Sequence, residues 1–281
     1  MISDAILAPS SSIATHGSIR GFFARRRLTV FFTLAYLFSW YPWLIALARG
    51  KSTGPNPLGP LIAAIVVLAV SDGWRSVRAL FARMVRGRIG LGWYGVVFGL
   101  PFALCLIAVG LTNAFGFHSA LPASSAWREL PDRFIFIFLF IALGEEPGWR
   151  GFALPELQRR FSSFVASVIL ALFWAVWHAP LLGNEFAWNI VPAFLISVIG
   201  ATFVQTLIFN RTRGSVFAPM LLHATVNTLS GGLMLPLFHG NAVIALWWTY
   251  ASVWLIAGVI AIRFSNARRE QSKGNSSKLQ S

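Results

Sequence analysis

The chain has 281 residues, of which 56% are hydrophobic, 15% aromatic and only 11% charged. Soluble domains carry about a quarter charged residues, so this composition excludes an ordinary soluble protein and indicates a polytopic membrane protein. The net charge of +14 would suit a nucleic-acid partner, but the basic residues sit in clusters between long apolar runs, as the positive-inside rule describes, and nucleic acid is excluded as the partner.

In chain order, residues 1–27 form an N-terminal arm carrying Arg20, Arg25, Arg26 and Arg27. Eight apolar segments follow, at about 28–48, 58–70, 93–115, 134–146, 164–182, 191–209, 216–237 and 243–262. The first ends in Ala46-Leu47-Ala48, which resembles a signal-peptide cleavage site. Its apolar core is longer than the 7–15 residues of a signal h-region, so it is read as a span. The second and fourth are shorter than the ~20 residues a helix needs to cross the bilayer, and must extend into flanking sequence or be partly re-entrant. Cys105, the single cysteine, lies in the third segment; it excludes an intramolecular disulfide and a Cys-rich metal site. Residues 263–281 are a basic tail, and the polar, Ser-rich ends 1–19 and 264–281 are expected to be disordered. Alternate loops, together with the arm and tail, hold 19 of the 23 Lys and Arg, leaving 4 on the other side. This predicts an all-α, eight-span plasma-membrane protein with both termini in the cytoplasm and one domain over 28–262.

Few polar residues remain at membrane depth. Phe134 to Leu143 is almost wholly apolar and leads into Gly144-Glu-Glu-Pro-Gly-Trp-Arg150. A charged acid at the centre of a bilayer costs roughly 2.5–3.5 kcal/mol, so Glu145 and Glu146 demand a function. Glu146 and Arg150 stand i,i+4 with the acid first, the favourable order for a helical ion pair, while Glu145 is turned about 100° away and is free to face a cavity. Pro147 is expected to leave the carbonyl of Leu143 unpaired and to kink the chain, as tolerated where a broken helix lines a wet cavity. His178 follows Phe173-Trp174-Ala-Val-Trp177, and His223 and Asn227 are again i,i+4 in His223-Ala-Thr-Val-Asn227. A bland reading exists for each: an interfacial ion pair, a core histidine, interhelical hydrogen bonding. Their joint occurrence on three segments favours a polar intramembrane site.

These residues resemble a known family. Glu145-Glu146-Pro-Gly-Trp-Arg150 is similar to the EExxxR motif of the CPBP (Abi) intramembrane proteases, the CAAX-processing and bacteriocin-processing group. His178 matches the histidine of the family's FxxxH motif, and His223 with Asn227 matches HxxxN. Trp174 stands where the second motif has Phe. The resemblance spans about residues 30–260 and includes Gly59-Pro60 and Gly151. It implies an intramembrane endopeptidase in which Glu145 and His178 activate water, His223 and Asn227 hold the oxyanion, and Glu146, Arg150 and Trp174 support them. The substrate would be a membrane-associated or prenylated, CAAX-type peptide, cleaved near the cytoplasmic side.

On the residues alone, a carboxylate that takes a proton from water and amide or imidazole donors for the oxyanion suffice for peptide hydrolysis. No cofactor is then required. The competing chemistry is zinc held by Glu145, His178 and His223, a two-His, one-acid set with an open position; the chain has no HExxH, and asparagine is a poor zinc ligand. Two readings from other classes are a proton- or cation-coupled transporter relaying through Glu145 and His178, for which paired broken helices are expected, and a catalytically silent scaffold or immunity protein.

Overall fold

The computed structural model describes residues 19–278, with side chains described as far as Ser265. The expectations for residues 1–18 and 279–281 lie outside the described residues. Among the described residues the protein is all helical, with no strand. The short α1 (Ile19–Arg25) leads into α2 (Arg27–Ala48), α3 (Gly59–Asp72), the amphipathic α4 (Trp74–Met84) and α5 (Leu91–Ala114). Four helical stretches then run on from one another: α6 (Ser124–Phe136), a π-helical stretch Ile137–Ala142, α7 (Leu143–Gly148) and a second π stretch Trp149–Ala153, continued by α8 (Leu154–Gln158). The remainder is α9 (Ser163–Trp177), α10 (Val191–Arg211), α11 (Phe217–Leu229) with a further π stretch Ser230–Met234, and α12 (Asn241–Lys278).

Each of the eight apolar segments therefore falls on helix, but their lengths differ from the sequence expectation. Four stretches are long and apolar enough to cross a membrane: Arg27–Ala48, Leu91–Ala114, Val191–Arg211 and Asn241–Ser265. Gly59–Asp72 and Ser163–Trp177 are shorter apolar helices. The segment placed at 134–146 is the middle of the composite helix that starts at Ser124, and that placed at 164–182 stops at Trp177. α12 runs helical to Lys278, where disorder was expected from 264.

Pro147 does not break the chain. It lies inside α7, and the helix continues through the π turn at Trp149–Ala153. A π turn advances the hydrogen-bond partner by one residue, which lets a helix absorb a missing N–H without ending; such turns often mark functional sites.

α7 is wedged between α3 and α11, and glycine makes the first contact. A Cβ at Gly144 would collide with the Pro57 carbonyl, and one at Gly148 would lie 2.5 Å from the Pro60 carbonyl oxygen. Gly144 and Gly148 are thus a small-xxx-small face that lets two backbones touch, the packing membrane helices use in place of a hydrophobic drive. α10 and α12 meet in the same way, Gly200 against the Trp254 carbonyl and Gly258 against Gly200 itself. Polar side chains tie helices elsewhere: Ser167 donates to Thr206 (2.7 Å), and Thr112 and Thr249 share a hydrogen bond (2.8 Å). The outward faces carry exposed Leu37, Leu44, Phe98, Leu106 and Ile256, as a lipid-facing surface does.

Because the obstacle at Gly148 is backbone, Gly148→Ala is expected to destabilise the protein by about 1–3 kcal/mol, read as a lower melting temperature in detergent. Gly99→Ala in α5, where an added Cβ meets nothing within 4 Å, is expected to leave it unchanged or raise it. Equal effects at the two positions would refute the α3–α7 contact.

Candidate active site

The two adjacent glutamates point to different partners. Glu146, fully buried, accepts at a single oxygen, Oε1, from Arg150 Nη1–H (3.0 Å) and from His223 Nδ1–H (2.8 Å). Arg150 is also fully buried; its second Nη reaches Thr202 Oγ1 (3.5 Å), and its guanidinium lies 4.2 Å from the centroid of the Trp174 ring, a cation–π contact. Glu145 turns instead to α9, where its Oε2 accepts from the indole N–H of Trp174 (2.8 Å). One aromatic side chain thereby covers the arginine with its face and holds the other glutamate with its edge.

His178 caps the C-terminus of α9. Its Nδ1–H donates to the Trp174 carbonyl (2.7 Å), which leaves Nε2 as the imidazole's remaining nitrogen. Its ring is held between Trp177 (5.0 Å) and Phe194 (5.2 Å). On α11, Asn227 Nδ2–H donates to His223 Nε2 (3.1 Å). His223 is therefore bonded at both nitrogens, to Glu146 on one side and Asn227 on the other. Trp174 stands between the two histidines, 5.4 Å from the His178 ring and 5.9 Å from that of His223.

A cavity of about 740 Å³ adjoins these groups. Glu145, Trp174, His178, His223 and Asn227 line it; Glu146 and Arg150 do not, and stand behind the wall. Most of the lining is apolar, with Ile137, Ile141, Phe194, Trp247 and Trp254 among it, so the cavity is a largely greasy space with a polar floor. From that floor it runs to the end of the bundle marked by Gly54, Arg133, Glu185 and Trp247. These residues belong to the loops and helix ends opposite those that carry Arg75–Arg88, Arg159, Arg160 and Arg211. At that other end Arg27 bridges Asp72 (2.8 Å) and Glu156 (3.1 Å), fastening α2 to α3 and α8.

Among the described residues no three His, Cys, Asp or Glu side chains are grouped as a metal ion would require. Glu145, His178 and His223, the set considered for zinc, are not gathered as ligands, and the His223 Nε2 that would bind the metal faces an amide.

Residues 127–229 match the family model described as type II CAAX prenyl endopeptidase, Rce1-like. That stretch is similar to this family. It holds every residue of the site, from Glu145 to Asn227. The chain is also 28% identical over 186 residues to CAAX prenyl protease 2 of Methanococcus maripaludis, an alignment covering 62% of this chain and 69% of that protein. The resemblance drawn from the three short motifs is borne out.

Spacing foresaw the pairs within one helix, Glu146–Arg150 and His223–Asn227. The links between helices, Glu146–His223 and Glu145–Trp174, carried no signal beyond the tryptophan standing where the family motif has phenylalanine. Phenylalanine has no N–H for Glu145, so the departure changes what holds that acid.

The two acids predict opposite mutational costs. Glu146→Ala leaves Arg150 buried without its counter-charge and the His223 Nδ1–H without its acceptor, which is expected to cost about 3–5 kcal/mol and to deplete the folded peak on size exclusion in detergent. Glu145→Gln keeps the shape and still accepts from Trp174, with an expected cost of about 1 kcal/mol. Trp174→Phe keeps the ring on Arg150 but removes the bond to Glu145, at about 1–3 kcal/mol. A larger loss at Glu145 than at Glu146 would invert the assignment.

Proposed function

We propose that the protein is an intramembrane endopeptidase that hydrolyses a membrane-associated peptide by glutamate-activated water. The observation that carries this reading is the split of the glutamate pair: Glu145 lines the cavity, while Glu146 is buried behind it and neutralised by Arg150.

In this mechanism a water molecule sits between Glu145 and His178. His178 gives its Nδ1–H to a backbone carbonyl, so its Nε2 accepts from the water and orients it. Glu145 Oε2 is engaged by Trp174, so Oε1 takes the water's proton as its oxygen attacks the peptide carbonyl. The C–N bond then breaks, and the proton passes from Glu145, directly or through His178, to the leaving amine. Asn227 has a second amide N–H beyond the one given to His223, and this donates to the oxyanion. His223 can add a donor there only as the imidazolium, which gives up the bond from Asn227, with Nδ1–H on Glu146 and Nε2–H on the substrate oxygen; Glu146 is the counter-charge for that form. Each donor of this kind is worth about 10²–10³ in kcat in other enzymes.

The expected localisation adds a condition on access. With both termini and the basic loops in the cytoplasm, the cavity opens at the opposite face. The substrate then enters from outside the cytoplasm, in place of the cytoplasmic-side cleavage expected from the sequence. A second reading, a prenylated CAAX-type tail, is favoured by the name of the archaeal relative and requires the inverse orientation, with the basic loops outside. Labelling a single cysteine at Glu185, in a Cys105→Ala background, with a membrane-impermeant maleimide on intact cells separates them. Modification is expected on the first reading and protection on the second.

Activity is expected to fall at least 10²-fold in Glu145→Gln and in His178→Ala, with both proteins still folded in detergent, and to survive exhaustive chelation. Full cleavage by both variants would remove the hydrolytic reading. Substrate flux in liposomes without cleavage would favour transport, and chelation loss restored only by zinc would favour the metal.

A further inference from the structure

We propose that Arg133 binds the terminal carboxylate of the substrate peptide and so sets how far from its C-terminus the chain is cut. This rests on the endopeptidase reading above and assigns a residue outside its catalytic set.

Arg133, Ile137, Ile141 and Glu145 line the same cavity at intervals of four residues, a single strip along the composite helix from its mouth to its floor. The strip begins with a cation, ends with the proposed base, and is apolar between. Arg133 is exposed, and among the described residues no carboxylate forms an ion pair with it. Glu129, one turn away on α6, shares with it a smaller cavity of about 340 Å³ without closing a salt bridge. Glu185, the other charged residue at the mouth, repels an anion and leaves Arg133 as the favourable end for one.

The position of the guanidinium is set by glycine. A Cβ at Gly231 would lie 2.6 Å from an Arg133 Nη, and one at Gly232 would lie 3.2 Å from its Cδ. The arginine therefore lies on the Gly231-Gly232 pair, in the π stretch that follows α11. Gly231 is four residues beyond Asn227 and eight beyond His223, roughly 6 and 12 Å along a helix at about 1.5 Å per residue. An extended peptide covers about 3.3–3.6 Å per residue. A peptide bond seated at His223 and Asn227 thus places a carboxylate two to four residues downstream against Arg133. A guanidinium fork matches a carboxylate in both geometry and charge, and the apolar strip suits aliphatic side chains on the way.

The test uses purified full-length protein in detergent and one probe pair. The probe is an N-terminally palmitoylated peptide ending in three aliphatic residues, as the free acid and as the C-terminal amide. Wild type is expected to cleave the acid with a KM about tenfold below that of the amide. Arg133→Gln should raise the KM for the acid to that of the amide with kcat little changed, and Arg133→Lys should restore part of the preference. Acid and amide cleaved equally by wild type, or the wild-type ratio kept in Arg133→Gln, would overturn the proposal. Binding of both probes to Glu145→Gln protein separates this failure from that of the parent reading. An acid preference in binding that vanishes with Arg133→Gln, alongside no cleavage by wild type, would keep the carboxylate site and remove hydrolysis.

Discussion

The organisation of the site depends on one buried oxygen. Glu146 Oε1 receives hydrogen bonds from Arg150, one turn on, and from His223, 77 residues away on another helix. Taking a carboxylate and a guanidinium out of water costs several kcal/mol each, recovered only where geometry is good and counter-charges are close. Here the arginine is further covered by Trp174 from a third helix. The ion pair thus fixes α7, α9 and α11 relative to one another, and any shift among them exposes an uncompensated charge. Rigidity of this kind suits the proposed hydrolysis, whose donors must already be in place when charge develops.

The neighbouring acid is freed by that arrangement. With Arg150 committed to Glu146, the hydrogen bond that reaches Glu145 from the protein comes from a neutral indole N–H, which orients the carboxylate without neutralising it. Two adjacent residues acquire different chemistry because a helix turns about 100° between them. The π turns on either side of α7 are the backbone's part in this: they allow Pro147 within a continuous helix, with Gly144 and Gly148 turned to α3 and the acids turned to α9 and α11.

The parts legible in the sequence were those governed by local spacing. Glu146–Arg150 and His223–Asn227 are separated by four residues, so helix geometry alone pairs them. Contacts across helices depend on where each helix ends and how closely it approaches its neighbour, and these were read less well. The apolar segment at 164–182 is longer than the helix it forms. The helix in fact stops at Trp177, and His178 folds back as its cap onto the Trp174 carbonyl. The Trp174 bond to Glu145 was invisible because sequence shows that an aromatic is present but not where its N–H points. The close approach of α3 was signalled by Gly144 and Gly148 and by Gly59-Pro60, yet only the backbone shows that they face one another.

The proposed hydrolysis also needs a route for water that does not leak through. The two ends of the bundle differ in the way this requires. At the basic end, Arg27 ties α2 to Asp72 of α3 and Glu156 of α8 while lying 5.5 Å from the centroid of the Phe152 ring. Surface ion pairs add little stability singly, but a shared cation packed on an aromatic ring joins three helices at this end. At the other end, loops replace helices around Gly54 and Glu185, and the cavity continues outward. The cavity that reaches Glu145 has apolar walls, which suit an aliphatic chain. The buried ion pair holds the floor and the Arg27 cluster ties the far end, and the greasy cavity above the floor is matched to the membrane-associated substrate proposed for it.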